Sequence, residues 1–240
     1  MPLESGLKSA FVLHSRPYRN NSAIVKFFCL EYGTLSGVVR GVKGKTAKNA
    51  ALIQPFLPLH IAWNGRTDLK SITTIEEAGK ATFLQGECLL SAFYVNEILY
   101  RLLQEGEPLV LLFGSYCETL NLLEQHGEVE CILRKFEKHL LDQLGYGVSY
   151  SEDAYSGSKL EENVFYEFVT GVGFVRCNHG EQVQSNVAFQ GKHLLAMGCD
   201  DYSHPQTRRV AKQIMRQSLA VQLGDKPLHS RNLFRKPKEE

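Results

Sequence analysis

The fold is constrained above all by a change of hydrophobic period near residue 76. Upstream of it, apolar residues come in short runs broken by turn formers. Downstream they recur at helical spacing. The early runs are Lys8–His14, Ala23–Leu30, Leu35–Val42, Phe56–Trp63 and Leu69–Ile75, each rich in Val, Ile, Phe or Leu and bounded by Gly, Pro or Asn. That pattern reads as strands. Five short strands in succession predict a small closed or nearly closed barrel, because an open sheet would leave unpaired edges. An oligonucleotide-binding (OB) barrel and an SH3-like barrel both satisfy the pattern.

After Glu76 the spacing predicts helices over Gly86–Gln104, Pro108–Gln125 and Val129–Leu144, joined by short connections that carry Gly106 and Gly127. Such connections make antiparallel neighbours. In the first helix Leu90, Phe93, Ile98, Leu99 and Leu102 are expected on the apolar stripe. From about residue 146 to 190 Gly, Ser, Tyr and acidic residues alternate with strand-like pieces at Val164–Val169 and Gly173–Cys177, which reads as an irregular, partly β insertion. A last helix, Pro205–Gln222, is opened by its proline and closed by Gly224. The expected class is α+β: a barrel domain over residues 1–77, then a helical domain over 78–240 that holds the insertion.

Charge is where this pattern acquires a functional direction. The net charge of +1 conceals basic ends around an acidic middle: residues 1–75 carry ten Lys/Arg against three Asp/Glu, residues 76–167 six against seventeen, and residues 202–240 nine against three. Between Tyr32 and Thr67 stand Arg40, Lys43, Lys45, Lys48 and Arg66 with no acid among them. Such a segment repels itself unless it is solvated or covered by an anion, and a phosphate backbone is the anion that fits. Arg16 and Lys70 are further candidate phosphate contacts, and the aromatics Tyr18, Phe27 and Trp63, each near a Lys or Arg in the chain, could stack bases. For Phe27, core packing is the stronger reading. On the last helix Arg208, Lys212 and Arg216 are four apart and share a face, and Arg231 follows beyond it.

Other chemistries lack their residues. Gly44-Lys45-Thr46 resembles the end of a P-loop, but Val39 stands where that motif requires glycine. No Gly-x-Ser-x-Gly elbow or His-Glu-x-x-His helix occurs. Cys177 and His179 could supply two metal ligands where a structural zinc site takes four. Cys29, Cys88, Cys117, Cys131, Cys177 and Cys199 form no Cys-x-x-Cys pair and read as free thiols. The expectation is a non-enzymatic protein without cofactor or metal, cytoplasmic and nucleoid-associated, with no membrane segment.

Several short motifs then carry a resemblance. His14-Ser15-Arg16-Pro17-Tyr18, Gln54-Pro55-Phe56, Tyr94-Val95-Asn96-Glu97, Leu133-Arg134-Lys135-Phe136-Glu137 running to Leu144-Gly145-Tyr146-Gly147, and Lys226-Pro227-Leu228-His229-Ser230-Arg231 occur in the order seen in bacterial RecO proteins. The chain resembles that family through nearly its whole length. The resemblance implies an OB-type barrel, binding of single- and double-stranded DNA, annealing of complementary strands, and cooperation with RecR in loading RecA onto DNA covered by single-stranded-DNA-binding protein. It also implies recognition of that protein's acidic C-terminal tail, with Arg134 and Lys135 as the tail-contacting residues carried over by position. Many family members hold zinc through four cysteines in the insertion, where this chain has only Cys177, so it resembles a zinc-free branch. The competing expectation is a protein-interaction adaptor that recognises acidic tails and touches DNA incidentally.

Overall fold

The computed structural model describes residues 6–44, 47–177 and 188–230. The chain divides into two compact units, Met1–Gly127 with Pro227–Glu240, and Glu128–Lys226. The division falls after Gly127, so two helices share a unit with the barrel.

In the first unit β1 (Lys8–Tyr18), β2 (Ser22–Cys29), β3 (Gly33–Arg40), β4 (Leu59–Asn64) and β5 (Leu69–Glu77) close in the order β1-β2-β3-β5-β4, with β4 returning to β1. All neighbours are antiparallel except β3 and β5. That crossover excludes a simple meander and gives the Greek-key closure of an OB-type barrel. Alternation along the strands fills its interior with Val12, Val25, Phe27, Leu35, Val39, Leu59 and Ile61, each no more than 1% exposed. Phe27 is therefore core.

Two strands depart from expectation. β1 runs on to Tyr18 instead of ending at His14, with Pro17 opposite Ala23 near the hairpin end. β4 begins at Leu59 and not Phe56, because Phe56 has φ 65° and turns the chain. Its ring is buried and meets Phe93 edge-on at 5.2 Å. Phe93, expected on the apolar stripe, is 36% exposed.

Helices α1 (Gly86–Leu102) and α2 (Val110–Glu124) pack on the outside of β1 and β2, where Phe28 and Phe11 meet Phe113 and Tyr116. A bulge in β1 between Val12 and His14 leaves carbonyls to which Asn96 of α1 donates, at 3.2 Å to Val12 and 3.5 Å to Leu13. The link from α1 to α2 lies so close to the start of β3 that a Cβ at Gly33 would collide with the Glu107 carbonyl oxygen.

The second unit contains α3 (Val129–Gln143), a sheet β7-β6-β8 from β6 (Phe165–Val169), β7 (Gly173–Arg176) and β8 (Ala188–Gln190), then α4 (Gly191–Gly198) and α5 (Pro205–Leu223). Ile132, Phe136, Leu140 and Leu141 of α3 are buried, as are Val210, Ile214 and Leu219 of α5. Strand β8 and helix α4 lie beyond what the sequence pattern predicts. The small sheet is knotted by Asp153, whose carboxylate accepts from Tyr155 N, Ser156 N, Ser156 Oγ and Arg176 N at 2.7 to 3.0 Å.

Candidate nucleic-acid interface

The register of the first three strands collects cations at one end of the barrel. Tyr18 is opposite Ser22 and Ser22 opposite Arg40; two rows inward, Arg16 is opposite Ile24 and Ile24 opposite Val38. Because side chains alternate across a strand, Arg16, Tyr18 and Arg40 leave the barrel on its outer face. The loop after β3 is tied to the β1–β2 turn. Gly41 N donates to Asn21 O at 2.9 Å, Lys43 N to Asn21 Oδ1 at 2.8 Å, and Asn49 Nδ2 returns to Arg40 O at 2.8 Å. Gly41 has φ 71°, a left-handed value that suits glycine at this reversal. Lys43 and Lys48 are thus set beside the turn.

Arg16, Arg19, Arg40, Lys43 and Lys48 are all exposed or half-buried at the surface, and none forms an ion pair with another described residue. Residues 14–25 and 38–50, which form the β1–β2 hairpin end and the loop after β3, contain no Asp or Glu, although β5, parallel to β3, ends toward the same side with the exposed Glu76 and Glu77. Arg19, whose guanidinium stands 5.1 Å from the Tyr18 ring centre, is a member that the sequence reading missed. Its signal was the same absence of acid from Ser5 to Leu30. Lys45 and Arg231 lie outside the described residues.

Not every expected residue joins the group. Since β3 and β5 run parallel with Ser36 opposite Leu69, the β4–β5 turn that bears Arg66 lies toward the Gly33 end, away from Arg40. Lys70 is opposite Gly37, midway along β3. Trp63 packs against the barrel core and meets Tyr32 edge-on at 5.2 Å, so its ring is engaged structurally. Toward the middle of the outer face, Lys26 is held by Glu105 Oε1 at 2.5 Å, and the same oxygen accepts from Ser36 Oγ at 2.7 Å. Burial acts to raise the Glu105 pKa, but these hydrogen bonds and the Lys26 and Lys70 charges outweigh it and leave it below the usual carboxylate range.

In the second unit the cations are more often spoken for. Arg208 pairs with Glu128 at 3.1 Å and donates to the Tyr202 and Ser203 carbonyls at 2.9 Å, and Lys212 pairs with Glu130 at 3.0 Å. The hydrogen bond from Lys212, above all, holds Glu130 below its ordinary pKa. Arg216 is exposed without an ion pair among the described residues. Arg134 is only 7% exposed and donates through Nη2 to Glu137 Oε1 at 2.9 Å. Its Nε is buried without a hydrogen-bond partner among the described residues. Lys135 is half-buried on the same helix.

A four-thiolate zinc site does not fit this chain's insertion, where Cys177 is the single cysteine. Asp153 ties the β6–β7 region by hydrogen bonds to its carboxylate. Among the described residues no helix is long and apolar enough to cross a membrane.

A closed Greek-key barrel with this strand order places the chain in the class of OB-barrel proteins. Comparison with known proteins gives the family. The family model described as Recombination protein O N terminal matches residues 5–79, and that described as Recombination protein O C terminal matches residues 85–232. The DNA repair protein RecO of Pseudomonas paraeruginosa is 41% identical over 232 residues, covering 97% of this chain and 96% of that one. The DNA repair protein RecO of Coxiella burnetii is 38% identical over 228 residues, covering 95% and 97%. The chain belongs to the RecO family, and its role is in DNA repair and recombination.

Proposed function

We propose that the protein is a recombination mediator that binds single- and double-stranded DNA at the cationic end of its barrel and anneals complementary strands. With RecR it would help RecA load onto DNA covered by single-stranded-DNA-binding protein. The observation that carries this reading is the convergence of Arg16, Arg19, Arg40, Lys43 and Lys48 on the β1–β2 hairpin end and the loop after β3, segments that contain no carboxylate. Neutralising phosphates there lowers the repulsion between two strands, which lets bases find their partners without any covalent step. In the helical unit, α3 is proposed to meet the acidic tail of the single-stranded-DNA-binding protein, with Lys135 the more accessible contact and Arg134 reached through rearrangement of its pair with Glu137.

The test is a salt titration of oligonucleotide binding with Arg40→Ala/Lys43→Ala/Lys48→Ala. The logarithmic salt slope should fall by about 0.9 for each duplex phosphate no longer neutralised and by about 0.7 for each single-strand phosphate. An unchanged slope would remove the barrel end from the mechanism and favour an adaptor that binds acidic tails.

A further inference from the structure

The outer face of the β1–β2–β3 end is a small grid of side chains. At the rim Tyr18, Ser22 and Arg40 stand side by side across the three strands; two residues further in stand Arg16, Ile24 and Val38, with Ser71 of β5 opposite Val38. Residues two apart on a strand share a face, so all six look outward. Strands about 4.8 Å apart and residues about 3.4 Å apart make the grid about 10 Å across and about 7 Å deep. Ser22, Ile24 and Val38 are neutral and half-buried, whereas Arg16 and Arg40, at diagonally opposite corners, are exposed. Two residues further in again, the face is closed by its own unit: the His14 ring lies 5.0 Å from that of Tyr100, and Lys26 and Ser36 both bond Glu105.

The turn beside this grid carries an unusual residue. Arg19 has φ 52°, in the left-handed region that suits glycine or asparagine better than arginine, and Asn20 and Asn21 stand next to it in the same turn. In that conformation its guanidinium stands 5.1 Å from the centre of the Tyr18 ring. A guanidinium over a ring is attracted to it, which steadies the ring and sets a cation at its side.

We propose that Tyr18, steadied by Arg19, is a stacking platform for an unpaired base of single-stranded DNA, laid over Ser22, Ile24 and Val38 with its flanking phosphates on Arg16 and Arg40. The proposal rests on the nucleic-acid reading of this end and adds a preference for unpaired strands. In a duplex the faces of the bases are covered by their neighbours, so the grid meets phosphates alone; a single strand offers it phosphates and ring faces together. Glu76 and Glu77 lie beyond Ser71 on β5, and their charge keeps the phosphates of a bound strand on the side of β1 to β3.

The experiment measures binding of fluorescein-labelled oligo(dA), an abasic strand of the same length and a duplex to the full-length protein across a salt series. The native protein should prefer oligo(dA) to the abasic strand. Tyr18→Leu, which keeps an apolar side chain, should reduce that preference by about 5- to 150-fold, the loss of one stacked base. Tyr18→Phe should keep most of it, because the ring stacks and the hydroxyl does not. Arg19→Asn should reduce the preference by a smaller factor while raising the urea midpoint, since asparagine tolerates the left-handed backbone. If Tyr18→Leu weakens all three ligands alike, or none, while Arg40→Ala/Lys43→Ala/Lys48→Ala lowers the salt slope, the platform is overturned and the barrel reading stands. A native preference in Arg19→Asn overturns the steadying role of Arg19. Absence of salt-dependent binding by the native protein, or a native slope in the triple variant, would overturn the reading beneath.

Discussion

Tyr116 of α2 donates its hydroxyl to Asn96 Oδ1 of α1 at 2.7 Å, while the Asn96 amide donates to the bulge carbonyls of β1. One side chain thereby joins both helices to the barrel. Burial, above all, raises the pKa of the Tyr116 phenol, so the O–H is retained as a donor. Asn96→Ala strands that hydroxyl and the Val12 carbonyl together and should cost about 2 to 4 kcal/mol in urea unfolding. Tyr116→Phe should cost about 1 to 2 kcal/mol, and the double variant less than the sum, because the two residues share one bond.

Asn96 also shows what the sequence could and could not reveal. The barrel strands were legible because alternation at Ala23, Val25 and Phe27 or at Leu35 and Val39 is set by burial on one face. The parallel contact of β3 with β5 was not, since no local pattern encodes which strands meet across a closure. Helix α4 is only eight residues long with glycine at both ends, too short for helical spacing to announce it. The cationic loop was visible through its lack of acid, and so in principle was Arg19. Arg134 was misleading in another way: a charged residue reads as exposed, and only Glu137 three residues on hinted at a partner. Arg208 and Lys212 share a face as their spacing required, but their carboxylates come from the start of α3, some eighty residues away.

Glu105 restrains the positive outer face of the barrel, since it occupies Lys26 and Ser36. Glu105→Ala should free Lys26 for one more phosphate. DNA binding is then expected to strengthen at low salt, with the logarithmic slope steeper by about 0.9 on duplex. The fold should lose little, because partly exposed ion pairs contribute about 0 to 1 kcal/mol. Weaker binding in the variant would mean that Glu105 organises the face instead of masking it.

The Asp153 knot predicts an acid limb for the insertion. Burial would raise its pKa, but hydrogen bonds from Ser156, Arg176 and Tyr155 carry it below the ordinary aspartate value. With the folded pKa below the unfolded value of about 3.9, the knot's stabilisation is complete above that value and fades as pH falls through the folded one. Amide protection factors in β6 and β7, with the intrinsic pH dependence of exchange divided out, should be steady from about pH 5 to 7 and fall under acid. Asp153→Asn should cost about 1 to 3 kcal/mol near neutrality, since its NH2 cannot accept the Arg176 N–H, and the difference from the native protein should shrink below about pH 4.

Cysteine accessibility provides a reporter of barrel opening. Cys29 is 0% exposed, and burial, followed by the Glu31 charge, pushes its thiol up to about 12, whereas Cys199 is exposed. Alkylation in native buffer should modify Cys199 first and leave Cys29 untouched until denaturant unfolds the barrel. Early modification of Cys29 would reveal local opening of β2.

The Arg134 and Glu137 pair decides how tail recognition has to be tested. Arg134 is 7% exposed and Glu137 1% exposed, so Arg134→Ala removes the cation paired with a buried carboxylate. That should destabilise the second unit by about 3 to 5 kcal/mol, and loss of tail binding in this variant would be confounded with unfolding. Replacing both partners, as Arg134→Met/Glu137→Leu, removes charge from both sides at similar volume and should recover most of the stability. The double variant is therefore the informative protein. If it melts as the native protein does but no longer binds an acidic tail peptide, Arg134 contributes to recognition by leaving Glu137 for the peptide. If the double variant binds the peptide normally while Lys135→Ala does not, the pair is structural and the tail is read from the outer face of α3.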